Sequence, residues 1–422
     1  MRVTASVENK VAIIGAGIAG LACARHLRHA GLPLVLLEAK ERIGGRIKTD
    51  RADGYLLNHG FQVLQTAYPE AQKILNFERL SLKSFAPGAI IRTRDRFYRV
   101  SDPRRRPKDL WRTLSAPIGT VGDRLRILRL TGRLLRTSAA ALFETPDFET
   151  IDYLRSEGFS EKIIQTFFKP FFAGVCLDPD IKASSNVFKY VYRIFAAGDV
   201  ALPAQGMGAI ADQLAEDLPS ECIRTGTRAV SLNPGEVILT TGETIEASAV
   251  VIATEGPETA RLLNNPLSVG SRGEWCLYFG ADKPPVNEPY LILNGTGTGW
   301  VNSVTVPSVV APAYAPEKRA LVSVVVIENE DADRAAIERN VRNEMREWFG
   351  PDVDGWRHIR TYRIDHALPE QPPTMPNPEV AAPLRKDGFY ICGEYGSVPG
   401  IQWALLSGRR AAEQVLTDFE IE

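Results

Sequence analysis

Cysteine is scarce in this chain, and what there is makes no pattern. Cys23, Cys176, Cys222, Cys276 and Cys392 are odd in number and scattered, with no CxxC pair. That argues against a disulfide scaffold or a cysteine-rich zinc site, and it predicts reduced thiols in a cytoplasm-like compartment. The five histidines show no metal-ligand spacing, so the expected site holds no metal and an organic cofactor is left to carry any chemistry. Long apolar runs are missing too. The stretch from Lys10 to Ala24 could pass for a signal segment, but it carries three glycines and lacks a typical cleavage site. No other run is long enough to span a bilayer. Excess charge is also absent: 50 basic residues face 51 acidic ones, a balance that argues against a dedicated nucleic-acid binder.

What is present starts with length, because 422 residues exceed what one hydrophobic core usually serves and two domains are expected. The most informative stretch is Lys10 to Arg46. Val11 to Ile14 is an apolar run of strand length, and it stops at Gly15-Ala16-Gly17-Ile18-Ala19-Gly20, the GxGxxG spacing. Gly15 permits the tight turn, Gly17 lets backbone N–H groups approach a pyrophosphate, and Gly20 lets the next helix lie close on the sheet. That helix turns its positive dipole end to the phosphates. Leu21, Ala24, Leu27 and Arg28 continue at helical spacing until Gly31, and Leu34 to Leu37 form the next strand. It ends at Glu38, an acid placed to accept a bond from a ribose 2′-OH. Strand, turn, helix, strand and acid in register announce a dinucleotide cofactor.

Glu38 to Arg46 reads EAKERIGGR and closely resembles the ExxxRxGGR signature of the FAD-dependent amine oxidase and carotenoid (phytoene) desaturase superfamily. The resemblance implies an α/β fold, with a Rossmann-like FAD-binding domain and a mixed α+β substrate domain of antiparallel sheet and helices. It implies FAD contacts at Gly15, Gly17, Ile18, Ala19, Gly20, Glu38, Ala39, Arg42, Gly44, Gly45 and Arg46. Arg46 would reach the pyrophosphate and Gly44-Gly45 would pass under the cofactor, which suits arginine and paired glycines physically. Gly60, Phe61 and Gln62 fall beside the flavin ring, with His59 in a structural role. Val230 falls against adenine, and Ala253-Thr254 reach the cofactor. The closing stretch from Gly388 to Val415 resembles the superfamily's C-terminal flavin signature. In it Gly393-Glu394 hold the ribityl or phosphate region, and a helix from Gly400 through Ile401 and Gln402 faces the flavin's N1 and O2. Residues 1–78, 200–265 and 385–422 are accordingly read as a discontinuous FAD-binding domain, and 79–199 and 266–384 as the substrate domain.

Arginines crowd the substrate half from Arg92 to Arg136, opposed only by Asp95, Asp102, Asp109 and Asp123. A helix is expected over Asp123 to Phe143, with Leu125, Leu128, Leu135 and Leu142 apolar and arginines interleaved. Its basic face reads either as solvated, with arginine stems covering the domain, or as a peripheral contact with an anionic membrane. Asp152 to Phe195 is helical in pattern, interrupted at Lys169 to Val175, and holds the aromatic cluster Phe167, Phe168, Phe171 and Phe172. Further on, a helix is expected over Gly206 to Leu218 and another over Ala332 to Phe349. Strands Glu274 to Gly280 and Leu321 to Ile327 predict an antiparallel sheet, and the prolines from Pro369 to Pro378 predict an extended crossing linker.

The chain departs from the superfamily pattern at informative places. Covalent monoamine oxidases have a cysteine just before the last helix, where this chain has Pro399, so FAD should be bound noncovalently. Gly400 stands where many amine oxidases place a cage tyrosine. The strand Glu274 to Phe279 lacks the lysine they commonly carry near flavin N5. Gln402-Trp403-Ala404 replaces the NGA step of desaturase-like relatives. Phe172, Tyr278 and Trp403 are the candidate pocket walls by their place in the pattern. The leading reading is a cytoplasmic FAD-dependent oxidoreductase that removes hydride from an apolar small molecule, desaturase-like, with flavin N5 doing the chemistry and no side chain assigned as catalytic. The alternatives are amine oxidation with oxygen reoxidising the flavin, and a catalytically silent flavin-binding protein at a membrane surface.

Overall fold

The strand Val11–Ile14 lies inside a six-stranded sheet in the computed structural model, which describes residues 10–94, 96–265, 270–327, 334–394 and 398–421. The strand order is Ile223–Arg224, Leu34–Leu37, Val11–Ile14, Ala249–Ile252, Phe389–Ile391 and Leu384–Lys386. The first five run parallel and the last pairs antiparallel at the edge. The four apolar strands in the middle are buried at every position, as expected of a parallel sheet covered on both faces. Alternation divides the two faces. Val11, Ile13, Leu34, Leu36 and Val251 pack under the helix Ile18–His29 and the C-terminal helix Ile401–Asp418. Ala12, Ile14, Val35, Leu37, Val250 and Ile252 pack on a small antiparallel sheet formed by Ala229–Asn233, Glu236–Leu239 and Thr244–Glu246.

Two glycines set how closely these layers approach. A Cβ on Gly20 would overlap the carbonyl oxygen of Gly15, and one on Gly408 would overlap that of Ala19 and meet Ala22 Cβ at 3.1 Å. The two helices therefore touch each other and the first turn through backbone.

A second sheet has seven strands in the order Arg357–Pro369, Ser271–Ala281, Ala320–Ile327, Ser303–Thr305, Leu291–Asn294, Gly88–Arg92 and Phe97–Ser101. It is antiparallel, as expected, except that Leu291–Asn294 runs parallel to Gly88–Arg92. That pair joins segments far apart in sequence, so no local pattern announces it. Along Ser271–Ala281 the alternation separates two cores. Trp275, Leu277 and Phe279 pack with Ile337, Val341 and Met345 of the helix Arg334–Phe349. Cys276 and Tyr278 face the core of the first sheet. The start of that helix expected at Ala332 and Asp333 lies outside the described residues.

The helical layer differs from expectation in its breaks. The helix expected from Asp123 to Phe143 spans Val121–Arg136, and a separate helix, Ala139–Phe143, follows. The reason is local chemistry: Ser138 caps the second helix, its hydroxyl oxygen accepting from Ala141 N–H at 3.3 Å. The interruption expected at Lys169 to Val175 is instead the helix Lys169–Cys176, because Pro170 falls in its first turn, where no N–H is needed. The break comes after it, at Leu177, whose φ of 52° is left-handed. The helix Ser185–Ala197 follows. Of the helix expected over Gly206 to Leu218, only Ala209–Ala215 is helical. Residues 370–383 carry neither helix nor strand, in line with a linker.

Candidate functional site

The carboxyl ends of the parallel strands converge on one cavity of about 770 Å³. Gly15 follows Ile14, Glu38 follows Leu37, Ala253-Thr254 follow Ile252, and Gly393-Glu394 follow the strand ending at Ile391; all of these line it. This is where parallel α/β sheets bind ligands. Gly15, with φ 101°, has its Cβ position against the Ala253 carbonyl oxygen at 2.8 Å. Gly45 lies over Gly17, where a Cβ on Gly45 would meet Gly17 Cα at 3.0 Å, and Gly44 N–H donates to Ala16 O at 2.8 Å. The two glycine turns thus lock together. Ile18 and Ala19 line the cavity at the first turn of their helix, and no side chain caps that helix. Gly400 and Ile401 bring the start of the C-terminal helix, also uncapped by any side chain, to the same cavity.

The carboxylate of Glu38 is 7 % exposed; Oε2 accepts from Ala16 N–H at 3.0 Å and Oε1 from Lys40 N–H at 2.9 Å. Ala39 lines the cavity next to it. Arg46 forms an ion pair with Glu394 at 2.5 Å and donates to the Ala367 carbonyl at 2.6 Å. Gln62 donates to Arg46 O at 3.0 Å, while its own Oε1 is buried without a hydrogen-bond partner among the described residues.

Beside this groove the loop Asn58 to Gln62 meets the second sheet. Gly60, at φ 93°, is packed so closely on Glu274 that a Cβ would overlap Oε1. That oxygen accepts from Phe61 N–H at 3.2 Å. Burial pushes the Glu274 carboxyl up to about 7, against the lowering effect of the Phe61 N–H. Sequence reasoning missed Glu274 as a cavity residue. The signal was there in its period: Glu274, Cys276 and Tyr278 share a face of the strand. Below the loop, Asp50 accepts from Tyr362 at 2.7 Å and Arg360 at 3.0 Å, contacts His59 Nε2 at 3.0 Å and pairs with Arg42. Burial opposes ionisation of Asp50, but the bonds from Tyr362, Arg42 and His59 outweigh it and hold the carboxyl well below the usual range. Burial lowers His59 despite Asp50. His59 lines the cavity yet is held in this network.

From there the cavity continues into an apolar chamber under the helices, walled by Ile118, Ile127, Phe167, Phe171, Val187, Phe195, Leu291 and Leu293. Trp403 lines it, 3 % exposed, with its ring 4.9 Å from Tyr190 and 6.1 Å from Phe143. The other two expected walls do not. Phe172 is turned into the aromatic core, 4.4 Å from Phe188, because neighbouring helical positions point to different faces and Phe171 takes the cavity side. Tyr278 is 2 % exposed, its hydroxyl donating to Asn58 O at 2.9 Å, and Glu274 two pairs back takes the cavity position. Four expected cofactor residues are also outside the lining. Val230 is 37 % exposed while its neighbours Arg228 and Ala229 line the groove, and Gln402 accepts from Glu70 N–H at 2.9 Å. Arg42 is engaged by Asp50, and Gly20 serves helix packing.

A groove of backbone donors free of side-chain bulk, two helix N-termini and a carboxylate at a strand end fit a phosphate-bearing nucleotide cofactor. That defines the class of protein. The chain belongs to the flavin-containing amine oxidoreductases, whose family model matches residues 18–416. It is 28 % identical over 253 residues to polyamine oxidase 3 of Oryza sativa subsp. japonica, covering 57 % of this chain and 50 % of that one. It is 24 % identical over 467 residues to a 15-cis-phytoene desaturase of Narcissus pseudonarcissus, covering 98 % and 80 %. Its fold is shared with a putative protoporphyrinogen oxidase from Exiguobacterium sp. 255-15, with a TM-score of 0.73 at 17 % identity over 97 % and 99 % of the two chains. The chain thus spans about half the length of the polyamine oxidase it matches.

Proposed function

We propose that this chain is an FAD-dependent oxidoreductase that removes hydride from an apolar small molecule, with the parallel-sheet unit as a Rossmann-like FAD-binding domain and the second sheet with the helices as the substrate domain. The observation that carries the reading is the continuity of one cavity from the glycine turns, past Trp403, into a chamber walled mainly by leucine, isoleucine, valine and phenylalanine. Bound FAD supplies a two-electron acceptor. The chain's own residues do the rest. The amides at Gly15, Gly17 and Gly45, with Glu38 and Arg46, would hold the nucleotide. Buried Gln62 Oε1 offers an unused acceptor to a ring N–H. Aromatic and aliphatic walls would orient the substrate and exclude water. Noncovalent binding is supported by the cysteines, none of which lines the cavity. Cys392, the nearest in sequence to the last helix, is buried with its thiol pushed up to about 12. In the chamber Tyr190 Oη and Asn302 Nδ2 are buried without partners among the described residues, which supports a substrate with an acceptor oxygen on its apolar frame.

One observation favours the second reading, amine oxidation: Glu274 sets a buried carboxyl against the cavity wall, where it could pair with an ammonium group. Anaerobic spectra separate the two. Purified protein should be yellow, release intact FAD on heating, and bleach with lipophilic substrates and not with amines. Bleaching by amines alone would move the assignment to amine oxidation, and a colourless protein that fails to take up FAD would overturn both.

A further inference from the structure

Six of the ten large apolar side chains that stand exposed among the described residues lie between Leu110 and Leu128. Trp111 is 79 % exposed, on the short helix Leu110–Ser115. Val121, Leu125 and Leu128, at 70 %, 64 % and 48 %, recur at i, i+4 and i+7 on the helix Val121–Arg136 and so form one outward stripe. Core packing does not explain that stripe, because the same helix is anchored through a different face by Leu130 and Leu134. The charge around it has one sign. Between Pro103 and Phe143 the only acids are Asp109 and Asp123. Both are buried: Asp109 pairs with Arg106, and Asp123 accepts from Thr120 and Ser160. Lys108, Arg112, Arg129 and Arg136 are exposed and have no ion-pair partner among the described residues.

This surface is also a mouth. Leu110, Leu114 and Leu128 are partly exposed and at the same time line the apolar chamber.

We propose that the face formed by these two helices docks on an anionic lipid surface, with Trp111, Val121 and Leu125 entering the headgroup boundary and the arginines lying among the lipid phosphates. The occupant follows from the chemistry. Unpaired basic side chains spread over an apolar stripe match a two-dimensional array of phosphates above hydrocarbon, and they form no pocket for one specific anion. A basic, apolar face is poorly matched to a second copy of itself, since like charges would meet across the contact. Docked in this way, the mouth at Leu114 and Leu128 opens onto hydrocarbon, so an apolar compound reaches the chamber without crossing water. That last step rests on the apolar-substrate reading; the docking itself does not.

The test uses holoprotein and vesicles of phosphatidylcholine alone or mixed with phosphatidylglycerol, with no substrate, so that failure of docking is separate from failure of the functional reading. Co-sedimentation is expected with the anionic vesicles only, weakening as salt rises. The double variant Arg112→Ala/Arg129→Ala should weaken it by roughly 25-fold, at about fivefold per arginine. Brominated lipid in those vesicles should quench tryptophan fluorescence, and Trp111→Phe should abolish the quenching with the melting temperature unchanged. Equal binding to neutral and anionic vesicles, quenching that survives Trp111→Phe, or no binding at all would overturn the proposal. So would a concentration-dependent dimer, lost in Trp111→Ser, in place of vesicle binding.

Discussion

Glu274 Oε1 accepts a hydrogen bond from Phe61 N–H at 3.2 Å, and this contact ties the second sheet to the loop that borders the nucleotide groove. It exists because Gly60 has no Cβ to keep the carboxyl away. With its carboxyl raised to about 7, Glu274 stays protonated in the folded chain over a range where the unfolded chain ionises. Folding is therefore favoured less as pH rises from about 4.5, the ordinary glutamate value, and the loss is complete above about 7. Glu274→Gln keeps an acceptor for Phe61 and cannot ionise. It should be more stable than the parent above pH 7, by an amount on the order of 3 kcal/mol at most, and equal to it near pH 4. Melting curves across that range decide; a parallel pH dependence in the two proteins would remove Glu274 as the cause.

Glu38 has two tasks in the structure, since it receives the amides of Ala16 and Lys40 as well as facing the groove. Glu38→Ala should weaken FAD binding by about 1.5 to 3 kcal/mol through the lost charged acceptor. It should also lower the melting temperature of the apoprotein, because the Ala16 amide loses its partner. Glu38→Gln retains one acceptor and should spare more of the apoprotein stability than of the affinity. Titration of apoprotein with FAD separates the two effects, and unchanged affinity in both variants would count against any contact with the cofactor.

Gly408 is the point where the C-terminal helix crosses the helix of the glycine loop, with Ala19 O in the place of a Cβ. A methyl group there meets a main-chain carbonyl that cannot rotate away, so Gly408→Ala should cost roughly 1 to 3 kcal/mol. Both helix N-termini at the cavity would shift with it. Weaker FAD binding together with a lower melting temperature is expected. A variant as stable as the parent would mean that the helices part at no cost.

Trp403 fills the space between Tyr190 and Phe143 at the cavity wall. Trp403→Gly should cost about 3 to 5 kcal/mol from the void and should change which compounds reduce the flavin while FAD remains bound. Trp403→Leu, a smaller loss of volume, keeps the test available if the glycine variant unfolds. Anaerobic stopped-flow spectra with a set of substrates of different width give the readout, and an unaltered preference in both variants would take Trp403 out of the substrate site.

The sequence by itself determined the nucleotide groove. Strand Val11–Ile14, the turn at Gly15, the helix to His29 and the strand to Leu37 are contiguous, and their backbone requirements are local: a positive φ at Gly15, no Cβ at Gly20, an acid after Leu37. Periodicity and glycine spacing encode such features directly. The same holds for the strand and helix at the C-terminus. The breaks in the helical layer were less legible, because Pro170 reads as a breaker until its position in the first turn is known.

Tertiary structure decided everything that depends on which faces meet. The alternation along Ser271–Ala281 puts Glu274, Cys276 and Tyr278 on one side, but only the packing of two sheets makes that side a cavity wall at Glu274 and closed core at Tyr278. Val121, Leu125 and Leu128 are apolar at helical spacing just as Leu130 and Leu134 are, and nothing local says which set is covered. The chain folds with the second set inward and the first facing out beside unpaired arginines. Local geometry is written residue by residue, whereas burial is a property of two surfaces that come together only in the folded molecule.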